Sequence, residues 1–187
     1  MNHETALSKA REIAARVLAP AARQNDKEGR FSTEAVDALG RAGFLGLTLP
    51  TEFGCTGLGP RTFAAVTATL AEADASVAMV YLMHICAAAT IAAARPSVAV
   101  AQILKEIASG GHLSTLAFSE PGSRSHFWAP VSRARRNGPG VRITAKKSWV
   151  TSAGCARVTW SRRSRPKVQV QPIRRSTLFR QAYAGFQ

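Results

Sequence analysis

Residues 112–125 read HLSTLAFSEPGSRS, and the fold turns on them. Before this stretch the chain is rich in alanine, and apolar residues recur every three to four positions, the spacing of a helix face. Within HLSTLAF the texture becomes β-branched and aromatic, and EPGS follows as a turn cluster. The same alternation continues downstream, where PVSRARR, VRITAKKSWV and ARVTW are short strand-like runs set apart by NGPG and TSAG. Asn-Gly-Pro-Gly between two such runs predicts a hairpin.

Upstream, five helices are expected. The first covers about Glu4 to Gln24, with Leu7, Ala10, Ile13, Val17 and Ala21 on one face and Pro20 placed to kink or shorten it. Ser32 or Thr33 caps a short second helix with Val36 and Leu39 inward, stopping near Gly43. The glycine-rich FLGLTLPTEFGCTGLGP leads to a third helix from Pro60, with Phe63, Val66 and Leu70 aligned. Asp74 or Ser76 caps a fourth. Ser97 caps a fifth, with Val100, Ile103, Leu104 and Ile107 apolar and Gly110 at its stop.

The fourth of these helices lies in ASVAMVYLMHICAAATIAAA, residues 75–94, which has no Asp, Glu, Lys or Arg. That is long enough to cross a bilayer. Eight alanines and the interrupting Tyr81, His84 and Thr90 favour instead a helix at the centre of a helical domain.

The net charge of +14 is unevenly spread. Residues 1–120 hold 10 basic and 11 acidic side chains, whereas residues 121–187 hold 15 basic and no acidic ones. Cys55, Cys86 and Cys155 are scattered and odd in number, which argues against a disulfide framework or thiolate metal site and for a reducing, cytoplasmic setting. The charged, discontinuous N-terminus is not a secretory signal.

Most isolated motifs are weak. FGCTGLGP spaces its glycines opposite to a dinucleotide-binding turn and precedes a helix where a second strand would be needed. The four histidines have no metal-ligand spacing, and no metal site is expected. Ser125 and His126 are sequence neighbours that point apart on a strand and make no nucleophile pair. In contrast, SEPGSRS at a strand end offers turn N–H groups and the hydroxyls of Ser119, Ser123 and Ser125, which can cradle an anion. Some 25 residues on, KKSWVTSAG repeats the arrangement of a strand end, an aromatic and small hydroxyl residues. Together the two suit a flat aromatic cofactor bearing phosphates.

Three elements in order then resemble the acyl-CoA dehydrogenase family: GFLGLTLPTEFGCTGL (43–58), the flavin-loop motif SEPGSRS (119–125) and KKSWVTSAG (146–154). The resemblance spans about residues 4–160 and implies an α+β fold. An all-helical N-terminal domain (residues 1–111) is followed by an incomplete antiparallel β-barrel domain (112–160) and a basic tail (161–187) expected to be disordered or out of frame. It implies FAD as cofactor, held by Leu116, Phe118, Ser119, Ser125, Trp149, Val150 and Thr151. Trp149 would lie against the flavin ring, Thr151 near its N5, and Ser125 also near the acyl-CoA.

The implied reaction is α,β-dehydrogenation of an acyl-CoA thioester in fatty acid metabolism, by an oxidoreductase that passes electrons to electron-transfer flavoprotein or a similar acceptor. Intact members are homo-oligomers. Arg124 and Cys55 stand where the family usually has glycine. Family chains are roughly twice as long, and the half lacking here carries the catalytic base in most members, so no catalytic residue is assigned and a truncated member, its activity left open, is expected. The resemblance fades after AGCARVTW, where the chain becomes acid-free, as a frame shift in a GC-rich gene would produce. The alternative is a non-enzymatic, basic nucleic-acid-binding or interaction protein using the tail, with Trp160, Phe179 and Tyr183 available to stack. A membrane partner is not expected.

Overall fold

The computed structural model describes residues 1–94, 96–123, 131–137, 140–156 and 158–160. They fall into two compact units, one of residues Met1–His112 and a second beginning at Leu113.

The first unit is helical. Helix α1 (His3–Ile13) opens on Asn2, whose side chain accepts from the Thr5 N–H at 2.9 Å. It continues without a break through a π turn (Ala14–Leu18) into α2 (Ala19–Glu28), which ends at Gly29 in the left-handed region, φ 61°. The run therefore extends past the expected end at Gln24. Pro20 lacks an N–H, and its ring crowds the carbonyl of Arg16. The wider π turn just ahead of it relieves that crowding, and the Ala19 N–H reaches back to the Ala14 carbonyl.

Helix α3 (Thr33–Arg41) turns Ala35, Ala38 and Leu39 inward and leaves Val36 half-buried. Helices α4 (Pro60–Ala73), α5 (Ala75–Ala92) and α6 (Val98–Ala108) follow. Asp74 caps α5 by accepting from the Val77 N–H at 3.0 Å, and Ser97 caps α6 through the Val100 N–H at 3.2 Å. Each satisfies a donor that the first helical turn leaves open.

Helix α1 packs on α4, α4 on α5, and α5 on α6. Between them lie Leu18, Leu39, Phe44, Leu70, Tyr81 and Ile107, all essentially inaccessible to solvent. Burying one such side chain contributes about 2 kcal/mol. The uncharged α5 is a core helix of this unit, with Val77, Tyr81, Ile85, Ala88 and Ile91 buried. Its His84 is fully buried and donates from Nε2 to the Leu45 carbonyl at 2.9 Å.

The stretch 43–58 folds back on itself. The N–H groups of Gly57 and Leu58 donate to the carbonyls of Leu49 and Leu47 at 3.0 and 2.9 Å, and the Thr56 hydroxyl donates to the Leu47 carbonyl at 2.7 Å. Cys55 covers Gly46 so closely that a Cβ there would stand 2.8 Å from its Sγ. The thiol thus fills space that Gly46 leaves open. Burial, and then nearby Glu52, push its pKa up.

The second unit contains four strands among its described residues: β1 (Ser114–Leu116), β2 (Arg133–Asn137), β3 (Gly140–Thr144) and β4 (Val158–Trp160). β2 and β3 pair antiparallel, with Asn137 opposite Gly140, the hairpin that NGPG predicts. β1 instead pairs parallel with β4, Ser114 opposite Val158. A parallel pair needs a long connection, and here that connection contains the hairpin. The helical domain followed by a small antiparallel sheet agrees with the expected α+β class. The tail from residue 161 lies outside the described residues.

Candidate functional site

Strand β1 delivers the chain into the SEPGS turn. Leu116 and Ala117 are buried, Phe118 and Ser119 are half-buried, and Pro121 and Gly122 are exposed. Gly122 takes φ 88°, which glycine adopts without steric cost. Ser123 closes the turn, its N–H and hydroxyl both donating to the Glu120 carbonyl, at 3.1 and 2.9 Å.

Beyond β3 the second motif begins. The Ser148 N–H donates to the Ser119 carbonyl at 3.0 Å, and the Lys147 ammonium lies 2.5 Å from the Glu120 carboxylate. The two motifs, separate in sequence, are therefore joined side by side, 119 to 148 and 120 to 147.

Glu120 is the centre of this junction. Its side chain is 1% exposed, and that of Lys147 is 5% exposed. One carboxylate oxygen accepts from the N–H groups of Val131 and Ser132, at 2.5 and 2.9 Å, and the other from the Ser132 hydroxyl as well as facing Lys147. Burial alone would push this carboxyl's pKa up. The hydrogen bonds from Lys147, Ser132 and Val131 outweigh burial and hold it below the usual range. Sequence reasoning treated Glu120 as a motif letter and passed over Lys147 and Ser132. One signal was available: Glu120 is the sole acidic residue after Glu106, in a stretch with 15 cations.

Trp149 follows Lys147 and Ser148 with φ 55° and an indole 90% exposed. A bulky residue in the left-handed region costs about 1–2 kcal/mol, and a bare tryptophan gains nothing from burial to offset it. Such strain clusters where a ligand is clamped. Val150, Thr151 and Ser152 are half-buried, with Ser152 at φ 60° and Gly154 at φ 84°. The turn closes through the Ala153 N–H on the Val150 carbonyl and the N–H groups of Cys155 and Ala156 on that of Ser152, at 2.9–3.1 Å.

Of the expected cofactor residues, Phe118, Ser119, Trp149, Val150 and Thr151 thus lie on two joined segments. Leu116 enters through its strand, its own side chain 6% exposed. Ser125 and Arg124 lie outside the described residues. Among the described residues, no group of three metal-ligating side chains occurs.

An all-helical unit is followed by a small sheet whose strand ends carry a turn and a bare tryptophan, a helical-then-β two-part chain. Comparison with known proteins specifies the class: residues 1–111 match the family model of the acyl-CoA dehydrogenase N-terminal domain, and the chain belongs to the acyl-CoA dehydrogenase family. It is 28% identical over 151 residues to the 3-sulfinopropanoyl-CoA desulfinase of Variovorax paradoxus, covering 81% of this chain and 38% of that protein. With the human mitochondrial short-chain specific acyl-CoA dehydrogenase it shares 29% over 163 residues, 81% of this chain and 37% of that one. In fold it resembles glutaryl-CoA dehydrogenase from Mycobacterium smegmatis, with a TM-score of 0.79 at 22% identity over 90% of this chain and 44% of the other. The chain therefore spans less than half the length of these relatives.

Proposed function

We propose that this chain holds FAD against an acyl-CoA thioester in an α,β-dehydrogenation. The observation that carries the reading is Trp149, a strained and almost wholly exposed indole on a segment joined to the SEPGS turn. A planar aromatic ring system suits its free face. Ser119 and Thr151, half-buried on the same two segments, are the hydroxyl residues this reading assigns to the ring's polar edge. The family's flavin motifs support this assignment, with Leu116, Phe118 and Val150 contributing backbone and Ser125 reaching cofactor and substrate.

When bound, FAD would supply the hydride acceptor for the acyl β-carbon. The protein's part in that chemistry is to shield the ring, orient it and exclude water around it. Glu120 does not serve as the base for the α-proton: both its oxygens already accept hydrogen bonds, and Lys147 keeps it ionised, so it has little affinity for another proton. The base belongs to the part of the family chain that this sequence does not span, as does much of the homo-oligomeric contact. The acceptor is electron-transfer flavoprotein or a similar carrier, and the setting is cytoplasmic.

The test is the near-ultraviolet and visible absorbance of the purified chain after incubation with excess FAD and removal of the free cofactor. A retained flavin spectrum is expected. A colourless protein would overturn the reading.

A further inference from the structure

We propose that Glu120 and Lys147 are positioning residues, a buried latch that fixes the Trp149 segment against the SEPGS turn and so sets the geometry of the cofactor site. The inference rests on the FAD reading for its ligand but not for its mechanics.

Three observations support it. The carboxylate and ammonium are 1% and 5% exposed and 2.5 Å apart, far more deeply buried than the surface pairs of the chain. Burying two charges is costly, and an apolar pair of the same size is often as stable or more so, so what this pair adds is specificity of placement. The residues next to the pair meet as well, Ser119 through its carbonyl and Ser148 through its N–H, so the charge contact sets a backbone register. Finally, Glu120 also accepts from Val131 and Ser132 at the entry to β2, which brings three separate segments to one carboxylate.

The consequence falls on Trp149. It is two residues from Lys147 and one from Ser148, its left-handed backbone is strained, and its exposed side chain makes no ring contact among the described residues. Strain of this kind persists only where the surroundings over-determine the conformation. On one flank, the contacts that do so are the Lys147 ion pair and the Ser148 hydrogen bond. Without the charge pair the segment relaxes, and the indole loses its fixed direction.

The experiment compares the unsubstituted chain with Lys147→Met, which keeps the length of the side chain but not its charge, with Lys147→Arg, which keeps the charge, and with Ser132→Ala. Backbone amide exchange of the cofactor-free protein is followed at Ser148 and, as a folding control, along α5. Lys147→Met is expected to speed exchange at Ser148 by about tenfold or more, the coupling expected of groups in direct contact, while leaving α5 unchanged. Lys147→Arg should restore most of the protection. Ser132→Ala, which removes one donor and leaves the charge pair, should loosen Ser148 less than Lys147→Met does. Equal exchange at Ser148 in the unsubstituted and Lys147→Met chains would overturn the latch.

The second readout is retained FAD, where Lys147→Met should weaken binding by about tenfold and Lys147→Arg should recover it. If the unsubstituted chain holds FAD and Lys147→Met holds it equally well, the positioning role falls while the cofactor reading stands. If the unsubstituted chain holds no FAD, the cofactor reading falls, and exchange at Ser148 still decides the latch.

Discussion

Residues 1–112 bury Phe44, Leu70, Tyr81 and Ile107 among helices, and Asn2, Asp74 and Ser97 cap helix starts. From Leu113 onward the strands are only three to five residues long, and three segments meet at the Glu120 carboxylate. The first unit gains its stability from many small apolar contributions, and the second depends on a few polar contacts whose loss cannot be spread over neighbours. Distributed packing tolerates the removal of one contact, whereas a polar hub does not. The sequence provides separate probes of the two. All three tryptophans, Trp128, Trp149 and Trp160, lie beyond residue 112, so indole fluorescence follows the second unit, while helical circular dichroism follows the first.

The largest effect expected is one that breaks the tolerance of the helical unit. Gly110 has φ 78°, and a Cβ there would stand 2.7 Å from the backbone of Gly40. Gly110→Ala combines left-handed strain with a backbone clash and should cost about 3 kcal/mol or more. The check is a lower urea midpoint of the helical signal.

Acid sharpens the contrast. The pKa of Glu120 is lowered from 4.5, so the stability it contributes is whole above that pH and is lost as pH falls through the lower, folded value. Because residues 113–187 contain no other acidic side chain, tryptophan fluorescence should show a transition below pH 4.5 that is absent from Glu120→Gln. Persistence of that transition in Glu120→Gln would assign it to another cause.

The smallest effect tests an ordinary helix cap. Asp74→Ala frees the Val77 N–H at the start of α5 and should cost about 1 kcal/mol. It should lower the helical midpoint slightly and leave the tryptophan signal at neutral pH unchanged.

This contrast also decides what was legible in advance. Helix signals are local: Ser97, Val100, Ile103, Leu104, Ile107 and Gly110 lie within one short window and state a cap, a face and a stop. The hairpin was legible for the same reason, its turn residues standing between its strands. Pairing of β1 with β4 was not, because Ser114 and Val158 have no property that selects each other across more than forty residues. The candidate site divides the same way. Trp149 and Thr151 could be named from their motif, but the positive φ at Trp149, a non-glycine residue, and the meeting of Glu120 with Lys147 depend on the folded chain.

The contact between Gly40 and Gly110 has one more consequence. It joins the ends of α3 and α6 backbone to backbone, closing a loop of seventy residues at a neck without side chains. Closing a flexible loop of that length costs about 4 kcal/mol in chain entropy, and two glycines return no apolar burial to offset it. Late closure of the neck, after α4, α5 and α6 have drawn its two sides together, is the order this cost favours. Substitutions there should act on the rate at which the native unit opens and leave the rate at which it forms nearly unchanged.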